Sequence, residues 1–110
     1  MDTEAGAAVA ATTAVIVDDH AVVREGTRQL LEREEGIEVV GEVGTVADAI
    51  TLARTLVPDL MVVDVELPDG SGVDVVREIV RAGLPVRCLM LSAHDDYIYL
   101  SEALAAGAAG

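Results

Sequence analysis

Residues 60–80 read LMVVDVELPDGSGVDVVREIV, and this stretch decides the fold. It begins with an uninterrupted apolar run, Leu60 to Val63, which is typical of a strand buried on both faces. Acidic and turn-forming residues follow, and after Gly72 the apolar residues recur at the spacing of a helix. A strand, a turn and a helix in this order form part of a βαβ unit, so the stretch predicts an α/β fold.

The same alternation of strand and helix patterns extends through the rest of the chain. The runs predicted to be strands are Ala14 to Val17, Ile37 to Val43, Leu60 to Val63 and Val86 to Leu91. The predicted helices run from about Ala21 to Arg33, from Thr45 to the breaker Pro58, from the residue after Gly72 to Gly83 and Pro85, which close it, and, more weakly, from Asp95 to Ala106. Right-handed crossovers fold such a chain into a doubly wound parallel sheet. Ligands of such sheets bind beyond the carboxyl ends of the central strands, so we expect the functional site there.

The helical spacing also predicts which side chains face the core. Thr45 and Asp48 have the spacing of a capping box, with Asp in place of Glu, at the start of the second helix. The apolar faces are predicted to be Val23, Leu30 and Leu31 in the first helix, Val46, Ala49, Ile50, Ala53 and Val57 in the second, and Val73, Val76, Ile79 and Val80 in the third.

Composition limits the class of protein. The chain has 110 residues, close to the commonest domain size, and 52% of them are hydrophobic, with two Tyr and no Phe or Trp. A core of Val, Leu, Ile and Ala suits a parallel sheet covered by helices. The formal net charge of -13 argues against direct nucleic-acid binding by this segment, because such a surface repels phosphate backbones.

Cysteine usage and the beginning of the chain bear on location. Cys88 is the one cysteine, which excludes an internal disulfide and a cysteine-based metal site and suits a reducing cytoplasm. No apolar run approaches the roughly 20 residues of a membrane helix. Residues 1–13 are Ala-rich but carry Asp2 and Glu4 and lack a basic region, so we expect a disordered leader and no signal peptide.

Acidic residues follow two of the predicted strands. Asp18 and Asp19 come directly after the first strand, and Asp64 comes after the third. If these strands are neighbours in the sheet, the three carboxylates converge in one pocket, where they repel one another unless a cation or a proton intervenes. Mg²⁺ accepts carboxylates together with water and phosphate oxygens, so the pattern predicts a site for a divalent ion and a phosphoryl group. Taken singly, each Asp could instead begin a loop or cap the next helix.

A hydroxyl follows the fourth predicted strand. Ser92 could donate a hydrogen bond to a phosphoryl oxygen on Asp64, and the small neighbour Ala93 leaves room for it. The alternative interpretation of Ser92 is an ordinary loop residue.

Several motifs together resemble a known family. The segments are Asp64 to Gly72, Val-Asp-Asp-His (Val17 to His20), Val-Arg-Glu-Gly (Val23 to Gly26), Val-Val-Gly-Glu (Val39 to Glu42) and Leu-Ser-Ala-His-Asp-Asp (Leu91 to Asp96). Between Ala14 and Gly110 the chain resembles the receiver domains of two-component response regulators. The subfamily it resembles has a LuxR-type helix-turn-helix output domain. Each motif is weak singly, and they are specific in combination.

The resemblance implies a role for each site residue. Asp64 would be the phosphoacceptor. Asp19 would bind Mg²⁺ directly, Asp18 partly through water, and the backbone carbonyl of Glu66 would complete the protein's share of the metal ligands. Ser92 would be the switch hydroxyl.

The resemblance also implies a fold and partners. The fold would be flavodoxin/CheY-like, with strand order 2-1-3-4. The donor of the phosphoryl group would be a sensor histidine kinase, and the full-length protein would carry a C-terminal DNA-binding domain and could form a homodimer. Such a domain is not an enzyme beyond slow self-phosphorylation and dephosphorylation.

The chain departs from the family pattern at its end. After Gly107-Ala108-Ala109-Gly110 the family continues with an aromatic residue, two apolar residues and an active-site Lys. We therefore expect residues 14–110 to be a receiver domain that is C-terminally incomplete, without the fifth strand, the fifth helix and that Lys. Arg87 lies inside a strand pattern and is not expected to substitute for the Lys.

Other functions stay open from the sequence. A receiver-like module that binds proteins without phosphorylation is one, and an aspartate-nucleophile phosphatase with Glu66 as its second acid is another. A dinucleotide-binding domain is disfavoured because no Gly-x-Gly-x-x-Gly follows the first strand. His20 and His94 are expected to have loop and cap roles, because the predicted metal site is rich in oxygen ligands.

Overall fold

The computed structural model describes residues 11–91. Along the chain the elements are β1 (Thr12–Val17), α1 (Ala21–Arg33), β2 (Ile37–Val43), α2 (Val46–Leu56), β3 (Leu60–Asp64), β4 (Glu66–Leu67), β5 (Gly70–Ser71), α3 (Gly72–Arg81) and β6 (Arg87–Leu91). The predicted helix from Asp95 to Ala106 lies outside the described residues. Within residues 11–91, no helix is long and apolar enough to cross a membrane.

The main sheet is parallel and has the predicted order. Its strands lie in the order β2-β1-β3-β6, while β4 and β5 form a separate antiparallel pair. Counting only the strands of the main sheet, this is the predicted order 2-1-3-4. Val17 lies opposite Val63, so β1 and β3 end at the same level of the sheet.

The core has two layers because the central strands are buried on both faces. Val15, Val17, Met61 and Val63 pack on one side with side chains of α2 and α3. The alternate residues of the same strands pack on the other side against Leu31 of α1. Burial on both faces accounts for the uninterrupted apolar runs in the sequence.

The first strand begins two residues earlier than predicted. The Thr13 amide donates to Asp59 Oδ2 at 2.8 Å, and the Asp59 amide donates to Thr13 Oγ1 at 3.0 Å. These bonds join the start of β1 to the residue before β3. Thr12 and Thr13 therefore belong to the sheet and not to the expected leader.

Two predicted core positions in the third helix are wrong. Val73 is 40% exposed and Val80 is 72% exposed, whereas Val75 is fully buried. The buried stripe starts at Gly72, which packs under the end of β3, and continues through Val75 and Ile79. Because the buried stripe of the helix begins at Gly72, the side chains at positions 73 and 80 point away from it.

The second helix has the predicted start and a different end. Thr45 Oγ1 accepts the Asp48 amide at 3.0 Å, which confirms the cap, and Ala49 and Ala53 are buried. Val57 was predicted to face the core, but it ends the helix in the left-handed region at φ 43° and is exposed. Pro58 follows it and prevents the helix from continuing.

Candidate functional site

The carboxyl ends of β1 and β3 bring the predicted acids together. Asp18 follows β1 directly, and its amide donates to the main-chain oxygen of Val43 at 2.9 Å, which extends the pairing with β2. Asp64 is the last residue of β3. Because the two strands end level with each other, Asp18, Asp19 and Asp64 form one cluster, as predicted.

The cluster is compact and unevenly buried. Asp18, Asp19, His20 and Asp64 each offer one ligand atom, and these four atoms lie within 4.8 Å of one another. Asp18 is only 5% exposed, Asp64 is half-buried, and Asp19 is exposed. Carboxylates at this spacing repel one another, so the arrangement favours a bound cation.

His20 is the member of the cluster that was not predicted. Its Nδ1 atom lies 3.1 Å from Asp19 Oδ1, 3.2 Å from Asp18 Oδ1 and 3.9 Å from Asp64 Oδ2. His20 occupies the N-cap position of α1, as expected, but its side chain makes no cap hydrogen bond and faces the acids. The hydrogen bond to Asp18 and the charge of Asp19 raise the pKa of His20.

Asp64 lies in an environment that favours its neutral form. Burial is the main cause that raises the pKa of Asp64, and the charges of Asp18 and Asp19 raise it further. The Glu66 amide donates to Asp64 Oδ1 at 3.2 Å and opposes this rise by stabilising the carboxylate. The net result is a raised pKa for Asp64, because burial and the neighbouring carboxylates outweigh the hydrogen bond from the Glu66 amide.

The turn after Asp64 is held close to the site. The Gly72 amide donates to the Val65 carbonyl at 2.8 Å, and a Cβ at position 72 would lie 2.5 Å from the main-chain oxygen of Asp64. Only glycine permits this approach. Ser71 and Asp74 then form a capping box that starts α3.

Asp69 joins this turn to the second helix. Its carboxylate accepts the amides of Val46 at 2.7 Å and Ala47 at 3.1 Å, at the amino end of α2. These bonds lower the pKa of Asp69. The sequence analysis did not identify this contact, because the partners are 23 and 22 residues apart and their spacing carries no signal.

Two predicted site residues follow the described part of the chain, and a third lies at its surface. Ser92 and Ala93 lie outside the described residues. Glu66 is exposed at the start of β4, and the metal role of its carbonyl stays a prediction. Arg24 directs Nη1 to the main-chain oxygen of Asp18, at 2.7 Å, while the carboxylate oxygen Oδ1 of Asp18 accepts the His20 amide at 2.8 Å.

The donors in the cluster fit a hard divalent ion. Three carboxylates supply oxygen ligands of the kind that Mg²⁺ prefers. The imidazole of His20 lies beside these oxygens and is 65% exposed, so its ring borders the cluster on the solvent side.

Comparisons with known proteins agree with this geometry. Residues 14–110 match the family model of the response regulator receiver domain. The chain is 40% identical over 95 residues to the DNA-binding transcriptional activator DevR/DosR of Mycobacterium tuberculosis, which covers 86% of this chain and 44% of that protein. It is 38% identical over 96 residues to the response regulator UvrY of Escherichia coli, covering 87% of this chain and 44% of UvrY. The chain thus spans less than half the length of these curated relatives.

Solved structures with the same fold are also similar. The signal receiver domain of the putative response regulator NarL from Mycobacterium tuberculosis superimposes with a TM-score of 0.74 at 32% identity, covering 87% of this chain and 77% of that one. A LuxR-family two-component response regulator from Aurantimonas superimposes with a TM-score of 0.72 at 35% identity, covering 89% and 70%.

Proposed function

The chain belongs to the response regulator receiver family, and on this basis we propose that Asp64 accepts a phosphoryl group from a sensor histidine kinase. The observation that carries the proposal is the convergence of Asp18, Asp19 and Asp64 at the level ends of β1 and β3.

Asp64 has the surroundings of a phosphoacceptor. One carboxylate oxygen is held by the Glu66 amide, and the other faces the cluster, where His20 Nδ1 lies 3.9 Å away. In the transfer, the ionised carboxylate would attack phosphorus and form an O–P bond while the P–N bond of the donor phosphohistidine breaks. The departing imidazole takes up a proton. Positioning and charge stabilisation supply most of the catalysis in such transfers.

Mg²⁺ is the cofactor that the donor set supports best. Asp18, Asp19 and Asp64 would hold it together with the main-chain carbonyl of Glu66. When bound, Mg²⁺ supplies positive charge that offsets the developing negative charge of the phosphoryl group. The relief of carboxylate repulsion would stabilise the folded protein at the same time.

The response to phosphorylation would be transcriptional. DevR/DosR is named as a DNA-binding transcriptional activator and UvrY as a response regulator, so we assign the full-length protein a DNA-binding output domain. The net charge of -13 argues against DNA binding by this segment itself, because an acidic surface repels phosphate backbones. Ser92 would respond to the phosphoryl group as the switch hydroxyl, and a cytoplasmic location and a homodimer accord with this role.

Labelling by a small phosphodonor tests the proposal. The purified protein should incorporate phosphate from acetyl phosphate only with Mg²⁺, and Asp64→Asn should abolish the label. Asp59→Asn is the matched control, because Asp59 lies at the opposite end of β3 and contacts Thr13. This variant should retain the label.

Three outcomes would contradict the proposal. Equal labelling of the folded wild type and Asp64→Asn would exclude Asp64 as the acceptor. A folded wild-type protein without label would favour the interaction module instead. Sustained turnover of small phosphate esters would favour the phosphatase.

A further inference from the structure

Two sequence motifs that the site does not use meet each other in the structure. Arg24 belongs to Val-Arg-Glu-Gly on α1, and Glu42 belongs to Val-Val-Gly-Glu on β2. Arg24 Nε lies 3.4 Å from Glu42 Oε1, and both side chains are largely buried, at 28% and 22% exposure. A half-buried ion pair is held more rigidly than a surface pair, so this contact fixes the guanidinium in place.

The Nη1 atom of the same guanidinium group reaches the backbone of the Asp18–Asp19 pair. Its Nη1 donates to the main-chain oxygen of Asp18 at 2.7 Å. This oxygen belongs to the peptide group that links Asp18 to Asp19. The amide of Asp18 is bonded to β2 through Val43. The backbone at Asp18 is therefore held from β2 on one side and from α1 on the other.

Glu42 pairs with a second arginine of α1. Arg28, one turn after Arg24, places Nη2 at 2.6 Å from Glu42 Oε2. The two carboxylate oxygens of Glu42 thus face two different arginines. This arrangement orients Glu42 and, through it, the Nε edge of Arg24.

The end of β2 also packs against the second acid. A Cβ added at Gly44 would lie 3.3 Å from Asp19 Cα. The backbone after β2 therefore limits where the Asp19 backbone can lie. The Arg24–Glu42 ion pair joins α1 to β2.

We propose that Arg24, oriented by Glu42, is a positioning residue that holds the Asp18–Asp19 peptide so that both carboxylates face Asp64. The inference rests on the proposed metal and phosphoryl site and assigns it supporting residues that touch neither ligand. Groups that orient metal ligands in this way commonly change metal affinity by about tenfold or more when they are removed.

Charge and positioning predict opposite effects, which makes the proposal testable. Arg24 is a cation close to an acidic site, and its charge alone opposes the binding of a second cation. If charge were its only effect, Arg24→Ala would strengthen Mg²⁺ binding. If Arg24 positions the acid pair, the same variant weakens binding.

The experiment measures affinity for Mg²⁺ by NMR titration and for Mn²⁺ by electron paramagnetic resonance. We expect Arg24→Ala to lose about tenfold in affinity for both ions. Arg24→Lys keeps the charge but cannot contact Glu42 and the Asp18 oxygen together, so it should lose a smaller part. Glu42→Gln should also weaken binding, and the double variant should be no weaker than Arg24→Ala alone, because the two residues act as one unit.

A matched control separates positioning from loss of stability. Arg54→Ala removes another interelement ion pair, with Glu78 at 2.5 Å, between the last turn of α2 and α3, and neither residue belongs to the acid cluster. The metal affinity of each variant is measured without urea, and its stability is measured as the midpoint of urea unfolding. Arg54→Ala should lower the midpoint and leave metal affinity unchanged. The Asp19 and His20 amide shifts should change in Arg24→Ala and not in Arg54→Ala.

The result that would overturn the proposal is unchanged or stronger metal binding in folded Arg24→Ala. If that variant does not fold, Arg24→Lys decides the question by the same criterion, because it keeps the positive charge and removes only the paired contacts. A wild-type protein that binds neither Mg²⁺ nor beryllofluoride would instead contradict the proposed function, so the two failures are distinguishable.

Discussion

Gly72 packs directly against the phosphoacceptor candidate: a Cβ at position 72 would lie 2.5 Å from the main-chain oxygen of Asp64 and 2.9 Å from Val63 Cγ1. The close approach places the first turn of α3 beneath the end of β3. The geometry of the site therefore depends on a residue without a side chain.

Gly72→Ala should destabilise the protein and disturb the site. Overpacking of this kind costs about 1–3 kcal/mol, because the backbone at Asp64 must shift to accept the methyl group. Urea unfolding measures the loss, and the Asp64 and Val65 amide shifts report the displacement. A stability and a spectrum like those of the wild type would show that the turn adapts freely.

Asp64→Asn should stabilise the metal-free protein at neutral pH. Burial and then the neighbouring carboxylates raise the pKa of Asp64, so the folded state binds its proton more tightly than the unfolded state does. Stability from this group is present at low pH and is lost as the pH rises from the ordinary value, 3.8, through the folded-state pKa. The raised pKa of His20 acts in the same direction. Its contribution to stability is present below the ordinary pKa of 6.5 and is lost as the pH rises from there through the folded-state pKa.

Unfolding midpoints of wild type and Asp64→Asn across this pH range check the sign. The difference in stability should grow as the pH rises, since only the wild type loses this contribution. A variant that removes the acceptor, Asp59→Ala, should instead lose stability, because Asp59 Oδ2 accepts both the Thr13 amide and the Thr13 hydroxyl. A less stable Asp64→Asn at neutral pH would contradict the electrostatic account.

Asp69→Ala should lower stability through α2. The lowered pKa of Asp69 comes from the amides of Val46 and Ala47, so its contribution is present above 3.8 and is lost as the pH falls through the folded-state pKa. The unfolding midpoint should therefore fall at neutral pH and approach that of the wild type in acid. Asp48→Ala, an exposed position in the first turn of the same helix, provides the comparison and should have the smaller effect.

Asp19→Ala should weaken Mg²⁺ binding by more than about tenfold, because it would remove the proposed direct oxygen ligand and relieve the repulsion that the ion would offset. Titration by NMR measures the affinity, with Asp59→Ala as a carboxylate variant outside the cluster. Equal affinity in Asp19→Ala and the wild type would remove Asp19 from the metal site.

The strands could be predicted because burial on both faces leaves uninterrupted apolar runs such as Leu60 to Val63, whereas their order 2-1-3-4 was expected from the family resemblance. The acid cluster could be predicted because level strand ends bring Asp18 and Asp64 together. These features depend on local pattern and on the rules of parallel sheets.

The missed features depend on contacts between distant segments. The buried face of α3 is set by the approach of Gly72 to Asp64, and helical spacing alone does not fix where a buried stripe begins. His20 joins the acids through its side-chain direction, which no spacing encodes. Arg24 was noted only as part of a family motif, and its bond to Asp18 depends on how α1 lies beside β1.

Chemical mapping of the phosphorylated residue tests the central claim most directly. After reaction with acetyl phosphate and Mg²⁺, borohydride reduces an aspartyl phosphate to homoserine, and mass spectrometry of the peptides locates the change. We predict homoserine at position 64 alone, with none in Asp64→Asn. Homoserine at another aspartate, or a borohydride-resistant phosphate on a serine, would contradict the assignment of Asp64 as the phosphoacceptor.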